Sequence, residues 1–146
     1  MNLEITPAQF GVRSSVSKPI PEFLLEMGED GIRKMVSDHY DAIQKSDIFE
    51  IFPQDAQEFE DAKKHSADFM IQICGGPAYF NQNRGAPQMV GRYNPFRITA
   101  QTRQVWLELY REILIELERD GVTERSVTSW WNYINVFSNW MINTQG

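Results

Sequence analysis

The sequence offers little from which a reactive or metal-binding centre could be built: 146 residues hold one cysteine and two histidines. Cys74 cannot form an internal disulfide, which fits a reducing compartment. Placed at a helix end beside Ile71 and Ile73, it reads as a small buried residue. There is no HExxH, no CxxC and no EF-hand loop, so side chains alone are not expected to hold a metal. There is no GxSxG either, and Cys74 has no evident partner, so no catalytic nucleophile is assigned. Glu58, Glu60 and Asp61 fall on what should be a solvated helix face. Positive charge is also scarce. Lys and Arg number 14 against 20 Asp and Glu, for a net charge of −6 and a pI near 4.9. Without a basic face a nucleic-acid partner is not expected. No apolar run approaches the roughly 18 residues of a membrane helix, and MNLEITPAQF lacks the basic-then-apolar order of a secretory signal. The chain is expected to be cytoplasmic, with no membrane partner. No segment alternates convincingly at period two, and there are no repeats or low-complexity tracts, so no sheet is expected.

Aromatic residues, by contrast, are abundant at 12%, and all four tryptophans lie after position 105. A chain of this length is expected to form one domain that buries roughly two thirds of its unfolded surface. Residues 1–19 read as an extension, with one possible turn at Thr6-Pro7 and a loop in SSVSKP. Pro19 and Pro21 open a helix through Phe23, Leu24 and Met27 that stops at Gly28. From Asp30, the residues Ile32, Met35, Val36, His39, Tyr40 and Ile43 form one stripe at helical spacing, which points His39 and Tyr40 inward. Ser46 to Pro53 is an apolar connection with Phe52 as its expected anchor. A helix over about Ala56 to Cys74 buries Phe59, Ala62, Ser66, Phe69, Met70 and Ile73, with His65 at the edge. Thr99 caps a helix that runs to Asp120 with Trp106, Leu109, Tyr110, Ile113 and Leu117 inward, and Gly121 ends it. The last helix opens at Thr123 or Ser126 and buries Val127, Trp130, Trp131, Ile134, Phe137 and Met141. The fold class is all-α.

Between the two central helices lies GGPAYFNQNRGAPQMVGRYNPFRITAQTRQVW, Gly75 to Trp106. Gly75-Gly76-Pro77 is a hard stop, and Gly85, Pro87, Gly91 and Pro95 leave room for at most a turn or two of helix around Gln88 to Tyr93. Its landmarks GGPAYF, RGAP, RYNPFRIT and the tryptophan in RQVWL resemble the truncated haemoglobins, specifically their second group, over roughly Gly28 to Asn143. The resemblance implies a globin-like two-over-two helical sandwich over residues 20–146, with 30–45, 56–74, 99–120 and 123–143 as helices B, E, G and H. It also implies haem as cofactor and a diatomic ligand such as oxygen. By the same resemblance Tyr40 matches the tyrosine that hydrogen-bonds the iron-bound ligand, and Trp106 the tryptophan whose indole N–H points into that pocket. Phe52 matches the aromatic wedged against haem, Ala62 and Ser66 line the distal side, and Arg92 lies near a propionate. Phe96 belongs to the same cofactor-binding motif.

The chain departs from the family at the proximal histidine, where Arg92-Tyr93-Asn94-Pro95-Phe96 carries Tyr93. Three readings follow. Tyr93 ligates haem as a phenolate, as in catalases. Or Tyr93 is a core aromatic in a globin without its cofactor, used as an interaction or regulatory module. Or His65, one turn beyond Ala62, ligates the iron alone. A phenol titrates at about 10 in water, so ligation requires loss of its proton, and the hard anionic oxygen favours ferric iron. That leans the first reading toward ferric redox chemistry, with a peroxidase-like side activity and with Arg97 a candidate partner for the phenolate.

Overall fold

Helix α1 spans Pro21–Gln44, with proline in its first turn, where a missing N–H costs nothing. It is two helices joined at a bend, because Gly28 takes φ 69° and ψ 165°, a backbone region costly for a residue with a Cβ. The stop expected at Gly28 is therefore real. Beyond it Ile32, Met35, Val36, His39 and Ile43 are all buried, as their spacing requires. The protein is described by a computed structural model that covers residues 1–8, 10–12, 14–84 and 97–144.

Helix α2 is Ala56–Ile73, and the side chain of Asp55 caps it by accepting the Glu58 N–H at 3.0 Å. Its end closes on Gly75 at φ +98°, with Gly75 N donating to Gln72 O and Gly76 N to Ile71 O. These two hydrogen bonds satisfy two orphan carbonyls and need a left-handed residue. A short helix α3, Tyr79–Arg84, follows; it was not expected from the sequence. Helix α4 is Ala100–Arg119, capped by Thr99, whose side chain accepts from Thr102 N at 3.2 Å. Helix α5 is Glu124–Phe137, capped by Thr123 and continued by a 3₁₀ turn over Ser138–Met141. No strand occurs among the described residues.

Two pairs make the layers, α1 with α2 and α4 with α5, and α1 also packs on α4 and α5. Rings stitch the layers together. Phe23 stacks on Trp130 at 5.4 Å and Phe69 meets Phe137 at 5.7 Å, while within one layer Tyr110 meets Trp130 at 6.0 Å. Such ring pairs add to the roughly 1.5–3 kcal/mol that burial of each large apolar side chain contributes.

Two expectations change. The buried line of α4 is Arg103, Trp106, Leu107, Tyr110 and Leu114, while Leu109, Ile113 and Leu117 are only half-buried. The stripe is rotated because a charged residue, Arg103, belongs to the core. In the 46–53 connection the buried residue is Ile48, and Phe52 is half-buried instead of being the anchor.

Arg103 explains the fate of the N-terminal residues. It is 2% exposed, and its acceptors are neutral: Thr6 O at 2.8 Å, Asn135 O at 2.8 Å and Ser138 Oγ at 2.9 Å. Burial pulls its pKa down to about 10, so it stays charged. Trp131 Nε1 and Asn135 Nδ2 both donate to Glu4 O, Arg111 Nη1 donates to Leu3 O, and Leu3 itself is buried. The first residues thus form a strap across α4 and α5. No helix among the described residues is long and apolar enough to cross a membrane.

Candidate functional site

The central segment leaves and rejoins the described structure at fixed points. On the leaving side Phe80 is buried against Phe69 at 5.3 Å, and Tyr79 Oη donates to Glu29 at 2.8 Å. On the returning side Ile98 is tied to the chain's end: its N–H donates to Asn143 Oδ1 at 2.8 Å, and its carbonyl accepts from Asn143 N and Thr144 N. Tyr93, Arg92 and Phe96 lie between these points, outside the described residues. Arg97 is exposed.

The remaining sequence-derived residues lie on α1, the 46–53 connection, α2 and α4. Tyr40 is half-buried on α1. Its ring meets Phe52 edge-on at 5.7 Å and Phe59 at 5.5 Å. Burial raises the phenol's pKa, and a side-chain hydrogen bond with Ser66 on α2 opposes that shift. Tyr40 is therefore a protonated donor at neutral pH. Ala62, His65 and Ser66 are half-buried on successive turns of α2, although Ala62 and Ser66 were expected fully inside. They lie beside a buried line of Phe59, Ala67, Met70, Ile71 and Cys74.

Trp106 completes the set from α4. The four tryptophans use their indole donors differently. Trp131 and Trp140 donate to the carbonyls of Glu4 and Ser14. Trp130 is enclosed, with no partner for its N–H among the described residues. The Trp106 N–H has no partner among the described residues, although its ring packs on His39 at 5.0 Å and Tyr110 at 5.0 Å. An indole donor in that state is available to a ligand. The sequence reading missed two participants. Phe59 backs the Tyr40 ring, and its place on the α2 stripe was the available signal. His39 was read as an inward-pointing core histidine but not as part of the site, and its Nε2 lies 3.0 Å from Trp106 O.

A wall of aromatic and small side chains with two donors, Tyr40 and Trp106, fits a flat apolar group that carries a small polar ligand. The residues present on that side therefore fit haem. Of the two residues expected as iron ligands, Tyr93 lies outside the described residues and His65 is half-buried on α2.

An all-helical two-over-two sandwich with this tyrosine and tryptophan is the architecture of a shortened globin. The comparisons agree. The chain belongs to the bacterial-like globin family, which matches residues 26–143, and its relatives place it with the second group of truncated haemoglobins. Group 2 truncated hemoglobin YjbI of Bacillus subtilis (strain 168) is 26% identical over 96 residues, 65% of this chain and 70% of that protein. Two-on-two hemoglobin-3 of Arabidopsis thaliana is 34% identical over 65 residues, 42% of this chain but only 37% of the relative's length. Among solved structures, phosphate-bound Hell's gate globin IV superposes with a TM-score of 0.85 at 31% identity. That match covers 98% of this chain and 88% of the other.

Proposed function

We propose that this globin binds haem, with Tyr40 and Trp106 as donors to a small diatomic ligand and Ala62, Ser66 and Phe52 against the macrocycle. In this reading Arg92 and Phe96 complete the cofactor site, residues 20–146 form the globin domain, and 1–19 form an extension. The buried, lone Cys74 agrees with a cytoplasmic setting. Bound haem would supply an iron that coordinates the ligand, and Tyr93 or His65 would be its protein ligand. The chain's own residues do the rest. Tyr40 keeps its proton because burial raises its pKa, so it donates to a ligand oxygen and does not compete for the metal. Ser66 orients that hydroxyl. The Trp106 indole, with no partner among the described residues, supplies a second donor from the opposite helix. If Tyr93 is the ligand, its proton must leave, and the hard phenolate oxygen favours ferric iron and redox chemistry over reversible oxygen storage.

The observation that supports this reading is Tyr40, half-buried beside Ser66, and Trp106, whose N–H has no partner among the described residues, both rings bordering His39. Hemin titration of the purified protein tests it: one saturable equivalent with a Soret band is expected, and its absence refutes the reading. Tyr93→His is expected to tighten haem binding and to give a carbon monoxide complex after reduction, because the rings are similar in volume. His65→Ala changes the spin state only if His65 is the ligand. A haem-free interaction module is the second reading. One observation favours it: much of the aromatic excess is consumed in ring-to-ring packing, as in Trp130 with Tyr133 at 5.5 Å and Tyr133 with Phe137 at 5.4 Å. The same titration separates the two readings.

A further inference from the structure

His39 is enclosed to 1% exposure and touches Trp106 and Tyr110 on another helix. Its Nε2 is 3.0 Å from the Trp106 carbonyl oxygen, and its ring stacks on Tyr110 with centroids 3.6 Å apart and planes at 26°. Its edge meets the Trp106 indole at 5.0 Å and 82°, and the ring of Tyr40 at 6.4 Å and 80°. His39 is therefore the shared ring neighbour of the two proposed donors, Tyr40 on α1 and Trp106 on α4.

The hydrogen bond is not needed to satisfy the carbonyl. Trp106 lies inside α4, where its carbonyl already accepts from the N–H four residues on. Nor is the imidazole needed merely to fill space, since phenylalanine would stack on Tyr110 equally well. What histidine adds is direction. A buried neutral imidazole carries one proton, and a carbonyl partner requires that proton on Nε2. The second lone pair of the Trp106 carbonyl is then tied to α1, next to the residue that presents Tyr40.

We propose that His39 is the positioning residue of this site, its Nε2–H pinning the Trp106 backbone and its ring edge setting the indole, so that the donors of α1 and α4 are held as a pair. Its consequence for ligand retention rests on the haem reading above; the pinning itself does not.

Nitrogen-15 spectra of labelled wild-type protein come first, with or without haem. The expected result is a single neutral His39 tautomer, protonated on Nε2, unchanged from pH 5 to 8. A proton on Nδ1, or a charged ring, overturns the proposal. Two variants then separate ring from donor: His39→Phe keeps the stacking and loses the N–H, while His39→Gln keeps an N–H and loses the ring. His39→Phe is expected to move or broaden the Trp106 indole resonance, assigned with Trp106→Phe, and His39→Gln to restore most of it. In the haem-loaded protein, His39→Phe should speed ligand release about fivefold, the weight of one modest hydrogen bond, while hemin affinity moves less than twofold. An unmoved indole together with an unchanged release rate overturns the proposal and leaves the haem reading standing. If wild-type protein takes up no hemin, the haem reading fails and the tautomer and indole resonances decide the role of His39 alone. If His39→Phe does not fold, the wild-type tautomer and His39→Gln decide it.

Discussion

Acid should act on this fold through His39 before it acts on the bulk of the core. Burial holds the imidazole's pKa down at about 3, and the bond to the Trp106 carbonyl opposes that shift only in part. The unfolded chain has an ordinary histidine, with a pKa of about 6.5. Because the folded value is the lower one, the unfolded state takes up the proton first. The stability tied to neutral His39 is therefore fully present above pH 6.5 and is lost as pH falls from there toward 3. Each pH unit in that window costs about 1.4 kcal/mol. From pH 7.5 to 4.5 the loss is roughly 2–3 kcal/mol, a large fraction of the 5–15 kcal/mol typical of a domain. In urea this shifts the midpoint by about 1–2 M. Acid also weakens the ion pairs of the fold. The comparison is therefore with His39→Gln, which cannot charge. Urea unfolding followed by circular dichroism at both pH values, for both proteins, gives the difference. A wild type that loses no more stability than His39→Gln between pH 7.5 and 4.5 refutes the reasoning.

Three further outcomes can be measured on the same material. Deleting residues 1–8 removes the Thr6 acceptors of buried Arg103 and the burial of Leu3. A loss of about 3–5 kcal/mol in urea unfolding is expected, and an unchanged midpoint would show that water replaces the strap without cost. Gly76→Ala would put a Cβ 2.6 Å from Ile71 Cγ2 and 3.0 Å from Ile71 O, so a destabilisation of about 1–3 kcal/mol is expected by thermal melting. The Cys74 thiol, pushed up to about 12 by burial, should react with a thiol reagent at pH 8 at least ~100-fold more slowly than in urea, and rapid labelling of native protein would contradict its placement.

Much of the helical frame could be read from the sequence because its signals are local. The Thr99 cap, the Gly75 stop and the Ile32-to-Ile43 stripe are written in residues three or four apart, and the structure repeats them. Every expected buried position of α5 and the turn after it, Val127 through Met141, is buried. The misses have a common cause. Arg103 is a core residue only because Thr6, Asn135 and Ser138 supply acceptors from distant parts of the chain, and no spacing rule announces that. Phe52 was taken as the anchor of its connection for its size, whereas Ile48 is the residue buried there. In the site, Tyr40 and Trp106 were identified by resemblance to the family, while the bond from His39 to the Trp106 carbonyl joins residues 67 apart. Local pattern could place His39 inside but could not name its partner.

The strap has a consequence for how the chain is made. The carbonyls of Glu4 and Thr6 find their partners 131 and 97 residues later, at Asn135 and Arg103. On a ribosome adding about 5–20 residues per second, the Glu4 carbonyl waits roughly 6–26 s for Asn135 to be synthesised. Helices α1 and α2 can pair during that interval, since their contacts are closer in sequence, but Arg103 emerges before its Asn135 and Ser138 acceptors exist. The contacts that bury the guanidinium therefore form only once α5 has been made and residues 3–6 can meet it, and by their sequence separation they are the slowest to form.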